Sequence, residues 1–289
     1  MKRVTVFGAT GMLGQPVVKE LVDAGFEVTA MVRSPEKARK ILPESVNLVP
    51  GDLKNLADIE EVLKDTEGVY LNLAVAPESK QNDFQPEREG LDNVIAGAKK
   101  AKVKRIALCS SLVHRYQGMN NFNWWAFDIK HRAVEKVKAS GIPYAIFYPS
   151  SFMENFDKGG FKQGNKMMLA GTQKFPMYYI AGSDYGKQVA KSFEILGDEN
   201  REYSVQGLEA FIADEAVKIF VNNYQKEQLK ISKTPILMLK VLGLFNQKMN
   251  YTAKIIDALN NYPEKFESET TWEELGKPQV TLAEYARNC

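Results

Sequence analysis

Along the first half of the chain, short apolar or β-branched runs alternate with segments whose apolar residues recur every three to four positions. The runs at 4–7, 27–32, 46–49, 68–73, 105–109 and 144–148 are too short for helices and are bounded by polar or glycine-containing turns, so they are predicted strands. The segments between them are predicted helices that begin near Gly11, Pro35, Asn55, Gln81 and Trp124. Ile106, Ala107, Leu108 and Cys109 follow one another with no polar residue between them, as a strand buried on both faces requires. This alternation of strand and helix builds a parallel sheet covered on both sides. After Pro149 the regularity stops. A glycine- and lysine-rich stretch at 158–174 leads to a helical segment, one further strand at 203–206 and a mostly helical end.

The turn between the first strand and the first helix carries the chemistry. In VTVFGATGMLGQPVVKEL, Gly8, Gly11 and Gly14 stand where a dinucleotide site needs them. Gly8 permits the tight turn, Gly11 lets the backbone approach a pyrophosphate, and Gly14 lets the helix pack on the sheet. Thr10, Met12 and Leu13 of the same loop are candidate contacts, because amides at a helix N-terminus face the phosphates along a favourable dipole. The predicted fold is therefore α/β: a Rossmann-type doubly wound parallel sheet with a smaller, mostly helical C-terminal substrate-binding part. Residues 1–150 are the expected NAD(P)-binding domain, and residues 151–289 the expected substrate-binding cover over the carboxyl ends of the strands.

The second strand ends about 18 residues past Gly14, where an acid usually bonds the ribose hydroxyls of NAD. Arg33 and Ser34 stand there instead, with Lys37 one turn on. A guanidinium and a hydroxyl bond a ribose 2′-phosphate, which an acid would repel. NADP(H) is therefore favoured, with NAD(H) left open. Asp52 and Leu53 in the GDL turn after the third strand, and Ala74 beyond the fourth, are further candidates for cofactor contact.

Composition narrows the remaining classes. The chain has 289 residues, 44% of them hydrophobic and 26% charged, with a formal charge of +2. That charge gives no excess of basic surface for nucleic acid, which is not expected as a partner. The two cysteines, Cys109 in a predicted strand and Cys289 at the end, form neither a disulfide framework nor a metal-ligand spacing, so no metal is expected and a reducing, cytoplasmic compartment fits best. The most membrane-like stretch, 235–245, is too short to span a bilayer and contains Lys240. It is expected to be a buried helix, a pocket wall or a subunit contact, with no membrane partner. The expected partner is a small-molecule substrate, and the protein a monomer or homodimer.

The glycine motif, VRSPEKA, the GDL turn and FDIKHRAVEKVKASGIPYAIFYPSSFMENF together resemble the NmrA-like and isoflavone-reductase-like group of atypical short-chain dehydrogenases. YSVQGLEAFIADEAVKIF and TWEELGKPQVTLAEYA extend the resemblance over most of the chain. The resemblance implies the fold and the cofactor; for activity it implies either a reductase of carbonyl-type compounds or a regulator that binds the dinucleotide without turning it over. Ordinary short-chain dehydrogenases pair a tyrosine with a lysine four residues later, so that the lysine lowers the phenol's pKa. Aligning that pair on Lys130 puts Ala126 at the tyrosine position. Phe127 to Lys130 instead matches the Phe-x-x-Lys of the isoflavone-reductase-like branch, which implies that Lys130 bonds the nicotinamide ribose and acts as acid or base.

Ser110 and Ser111 end the fifth strand, where this type of enzyme places a hydroxyl for the substrate oxygen. Alternation along a strand leaves open which of them points inward; Ser111 is carried as the catalytic candidate. His114 is either a substrate contact or, as lone histidines in polar loops more often are, a surface residue. Pro149, Ser150, Ser151 and Phe152 follow the sixth strand, where the family segment packs against the nicotinamide. Phe122, Trp124, Trp125 and Phe156 either line an apolar cleft or belong to the core. Two functions follow: an NADPH-dependent reductase of a small apolar carbonyl, enone or quinone compound, and a non-catalytic NADP(H)-binding redox sensor acting through a protein partner. A nucleotide-sugar epimerase or dehydratase is a third reading, weakened by the missing tyrosine.

Overall fold

In the computed structural model, which describes residues 1–289, all six predicted strands form: β1 (Arg3–Phe7), β2 (Glu27–Val32), β3 (Asn47–Pro50), β4 (Gly68–Leu71), β5 (Arg105–Cys109) and β6 (Tyr144–Pro149). The runs without alternation are buried on both faces as expected, β4 and β5 along their whole length. Helices α1 (Gly14–Asp23), α2 (Pro35–Arg39), α3 (Leu56–Val62), α4 (Leu91–Lys100) and α5 (Trp125–Lys138) connect them. In α1 the buried positions Gly14, Val17, Val18 and Leu21 fall on one stripe at helical spacing, which is the face laid on the sheet.

One helix begins later than its pattern predicts. The segment from Gln81 stays irregular until a π-helical turn at Pro86–Gly90 that runs into α4. Pro86 is the cause, because the residue before a proline is pushed out of the helical region, and Gln85 is indeed extended at φ −112° and ψ 128°.

The second half contains α6 (Glu154–Asp157), β7 (Lys162–Gln163), β8 (Lys166–Ala170), β9 (Met177–Tyr178), α7 (Gly182–Ile195), β10 (Arg201–Val205), β11 (Ala210–Phe211) and α8 (Ala213–Asn223). It continues with β12 (Lys230–Thr234), α9 (Ile236–Gly243), α10 (Gln247–Asn261), α11 (Glu269–Leu275) and α12 (Leu282–Asn288). The main sheet has seven parallel strands in the order β10-β6-β5-β4-β1-β2-β3. The division expected at residue 150 is thus crossed: β10 extends the sheet beyond β6, and α7 packs on α1. One face of the sheet is covered by α3, α4 and α5 and the other by α1 and α7, while Phe156, Met167, Tyr179 and Phe220 centre a separate C-terminal core.

Residues 235–245 differ from the expectation of a buried helix. They form α9 and the turn after it, and only Ile236, Leu239 and Gly243 turn inward, at the spacing of one narrow stripe. Leu237, Met238, Val241, Leu242, Leu244 and Phe245 are exposed. No helix is long and apolar enough to cross a membrane.

Candidate functional site

The strand order reverses between β1 and β4, and in such sheets ligands bind outside the carboxyl ends of the strands at that point. Gly8 to Gly14 lies there. Gly8 has φ +83°, and a Cβ added to it would stand 2.2 Å from the Asn72 carbonyl oxygen; one added to Gly14 would stand 2.1 Å from the Gly8 oxygen. Both positions are therefore fixed as glycine by the fold. Gly11 is different. It is exposed, and an added Cβ would come no closer than 3.3 Å to the Gly8 oxygen and 3.5 Å to Asn72 Nδ2. A side chain at Gly11 would be tight against the Gly8 oxygen but not blocked by the chain, and it would stand where a pyrophosphate lying on the loop would approach. No side chain caps the first turn of α1, which leaves its amides for such a group. Thr10 is exposed, and Met12 and Leu13 are half-buried.

Arg33 and Lys37 are exposed and enter no ion pair, whereas Arg39 nearby spends its guanidinium on the carbonyls of Pro43, Glu44 and Val46. Ser34 caps α2 by accepting from the Lys37 amide at 3.5 Å. Asp52 accepts from the Lys54 amide at 2.9 Å in the turn after β3, Leu53 is half-buried beside it, and Ala74 is exposed past the end of β4. These residues follow β2, β3 and β4 at the carboxyl end of the sheet; β2 and β4 flank β1, and β3 lies outside β2.

On the other side of β4, Lys130 Nζ bonds Glu87 Oε1 at 2.5 Å, and the two side chains are 18% and 2% exposed. Burial works against the ammonium, but the Glu87 carboxylate more than offsets it, so the Lys130 pKa is raised. Burial pushes the thiol of Cys109, at the carboxyl end of β5, up, while the Lys130 ammonium acts the other way. Tyr251 of α10 is a third neighbour: its ring meets Trp124 edge-on at 5.0 Å, and its phenol is pushed up by burial while Lys130 acts the other way.

The two serines differ in their surroundings. Ser110 is buried and its hydroxyl lies 3.1 Å from His114 Nδ1, whereas Ser111 is half-exposed with a free hydroxyl. His114 is buried, not a surface residue. Burial, with the charges of His131, Lys130 and Arg115 adding to it, holds its imidazole down to about 2 and therefore neutral. Pro149, Ser150, Ser151 and Phe152 are all buried. Ser150 donates to Glu264 Oε2 at 2.8 Å, and Gln206 Nε2 donates to Glu264 Oε1 at 2.7 Å. Burial pushes the Glu264 carboxyl up to about 7 despite those two donors. Of the four aromatic candidates, Phe122 and Trp124 pack with Phe127, Trp125 is half-buried, and Phe156 stacks on Phe161 and Phe220, away from the strand ends.

Sequence reasoning missed Glu87, Tyr251 and Glu264. Glu87 lies in PEREG with Glu89, and only the turn geometry decides which of the two is buried. Tyr251 and Glu264 reach the site from the far end of the chain.

With this geometry in place, the comparisons with known proteins agree. The chain belongs to the NAD(P)H-binding family, whose profile matches residues 8–185, and the resemblance to NmrA-like atypical short-chain dehydrogenases holds. It is 24% identical over 273 residues to the photosystem II assembly factor Ycf39 of Trieres chinensis, covering 89% of this chain and 82% of that protein. It is 25% identical over 210 residues to an NAD(P)H azoreductase of Xenophilus azovorans, covering 72% and 68%. Among solved structures, the NADPH complex of an Escherichia coli NADPH-dependent quinone oxidoreductase superposes with a TM-score of 0.76 at 21% identity, covering 99% of both chains. That likeness shows the shared fold.

Proposed function

We propose that the protein is an NADPH-dependent reductase of a small apolar acceptor, with quinone-like compounds favoured over simple carbonyls. The observation that carries this reading is the ammonium of Lys130, 18% exposed and paired with the buried Glu87, which holds it charged. NADPH, when bound, supplies the hydride. The Gly8 to Gly14 loop would hold the pyrophosphate, Arg33, Ser34 and Lys37 the 2′-phosphate, and Asp52, Leu53 and Ala74 the adenosine end. Pro149 to Phe152 and Lys130 would border the nicotinamide. A fixed positive charge in a site of low polarity stabilises oxygen that becomes anionic on reduction. A lysine whose pKa is raised is a poor proton donor near neutrality, and a quinone needs none from the protein because its reduced form takes a proton from water. Ser111 offers a free hydroxyl for the same oxygen. The name of the azoreductase relative supports a reductase reading.

The same ammonium supports the second reading. With Ala126 in place of a tyrosine and Lys130 locked to Glu87, a non-catalytic NADP(H)-binding regulator is coherent, and the assembly-factor relatives favour it.

The test is NADPH consumption with a panel of quinones, enals and aromatic ketones, together with nicotinamide fluorescence titrations of NADPH and NADH. Quinones are expected to be reduced fastest, and NADPH to bind about ten- to a hundredfold more tightly than NADH, a preference that Arg33→Ala removes. Equal affinity for the two cofactors would refute the 2′-phosphate assignment. Tight NADPH binding with no acceptor reduced would leave the regulator.

A further inference from the structure

We propose that α9 and the turn after it form a docking face for an anionic phospholipid surface. Soluble chains rarely expose contiguous apolar side chains without a use for them. Here Leu237, Leu244 and Phe245 are 68%, 76% and 87% exposed, with Met238, Val241 and Leu242 exposed beside them. Only the stripe of Ile236, Leu239 and Gly243 is spent on packing against α10. The helix is eight residues long, about 12 Å, so it can lie in an interface but not cross a bilayer.

Charge selects the occupant. Residues 226–254 hold six lysines and one acid, Glu227, while the rest of the chain is net acidic. Glu227 is paired with Lys162, and Lys233, Lys240 and Lys248 are paired with Asp214, Asp257 and Glu78. Lys226 and Lys230 are exposed and enter no ion pair. Exposed apolar side chains, with the unpaired Lys226 and Lys230 before them in the chain, match the acyl boundary and the phosphates of an anionic leaflet. A cavity of about 210 Å³ lies between Lys240 of α9 and Asn250, Ala253, Lys254 and Asp257 of α10. A second copy of the chain fits less well. An eight-residue helix falls short of the roughly 800 Å² that each partner buries in a stable dimer.

The experiment is co-sedimentation of the full chain with vesicles of phosphatidylcholine alone and of phosphatidylcholine mixed with phosphatidylglycerol, with sedimentation velocity of the free protein alongside. The expected result is binding to the mixed vesicles that weakens as salt is raised. The pair Leu237→Gln/Phe245→Gln should weaken it at least about tenfold, and Lys226→Glu/Lys230→Glu should abolish the preference for phosphatidylglycerol. Ile41→Gln, at an exposed apolar position remote from α9, should change nothing, and melting curves of all variants should match the unmodified protein. No binding to mixed vesicles at low salt overturns the proposal, as does binding that survives the Leu237/Phe245 pair. A dimer that this pair converts to monomer, with vesicles ignored throughout, overturns it in favour of a subunit contact.

Discussion

Lys130→Met is the direct way to ask what the ammonium does, but the structure shows that it cannot be read alone. Glu87 is 2% exposed, and its partner in the ion pair is Lys130. The attraction between them goes largely to offset the cost of taking both charges out of water. Deleting one partner leaves the other buried and uncompensated, so Lys130→Met should cost about 3 to 5 kcal/mol of stability, and Glu87→Gln about the same. The double variant removes both charges and should cost less than the two single costs added, by at least about 2 kcal/mol. Urea unfolding of the four proteins measures this cycle. Single variants that each lose under about 1 kcal/mol, or costs that simply add, would refute a buried ion pair at this place. The double variant is then the proper one for turnover. It should keep NADPH affinity within a few-fold, since most expected contacts lie at the Gly8 to Gly14 loop and Arg33. Reduction of a ketone, which needs charge and proton together, should fall by about a hundredfold, and reduction of a quinone by clearly less.

Two further outcomes are expected. Gly11→Val should fold with near-normal stability and lose NADPH binding, whereas Gly14→Val, whose Cβ would meet the Gly8 oxygen at 2.1 Å, should fail to fold; thermal melts with fluorescence titration separate the two, and normal binding by Gly11→Val would mean that the loop does not hold the pyrophosphate. Glu264, raised to about 7 from 4.5 by burial, binds a proton in the folded state that the unfolded chain has already lost. Its contribution is therefore best below pH 4.5 and is lost as pH rises through 7, a span of about 3 kcal/mol that Glu264→Gln should flatten in melting curves between pH 5 and 8.

What the sequence disclosed follows from how local each signal is. Strands β4 and β5 were legible because burial on both faces forces unbroken apolar runs, and the cofactor loop because its three glycines, strand and helix are contiguous. The Gln81 helix start was misplaced because periodicity persists through residues that Pro86 keeps out of a helix. His114 looked like a loop residue because its surroundings in the chain are polar; only the fold brings His131 and Tyr148 against it. For α9 the composition allowed a buried helix, a pocket wall or a subunit contact; α10 packs on one stripe of it, and the chain leaves its outer face open. Glu87 and Lys130 meet across 43 positions, and Ser150 and Glu264 across 114, distances at which one sequence holds no pairing signal.

The return of the chain to its first sheet has a consequence for how the protein is made. Strand β6 ends at Pro149, but its outer neighbour β10 is complete only at Val205. During synthesis the edge of β6 therefore stays unpaired while more than fifty further residues emerge, and the face that α7 covers stays open almost as long. An unpaired strand edge beside open apolar surface is the species most prone to join another chain, and contacts this distant in sequence form slowly. A fragment ending near residue 150 would carry that edge permanently. The nucleotide half, which looks self-sufficient along the sequence, thus depends on the rest of the chain to shield it during folding.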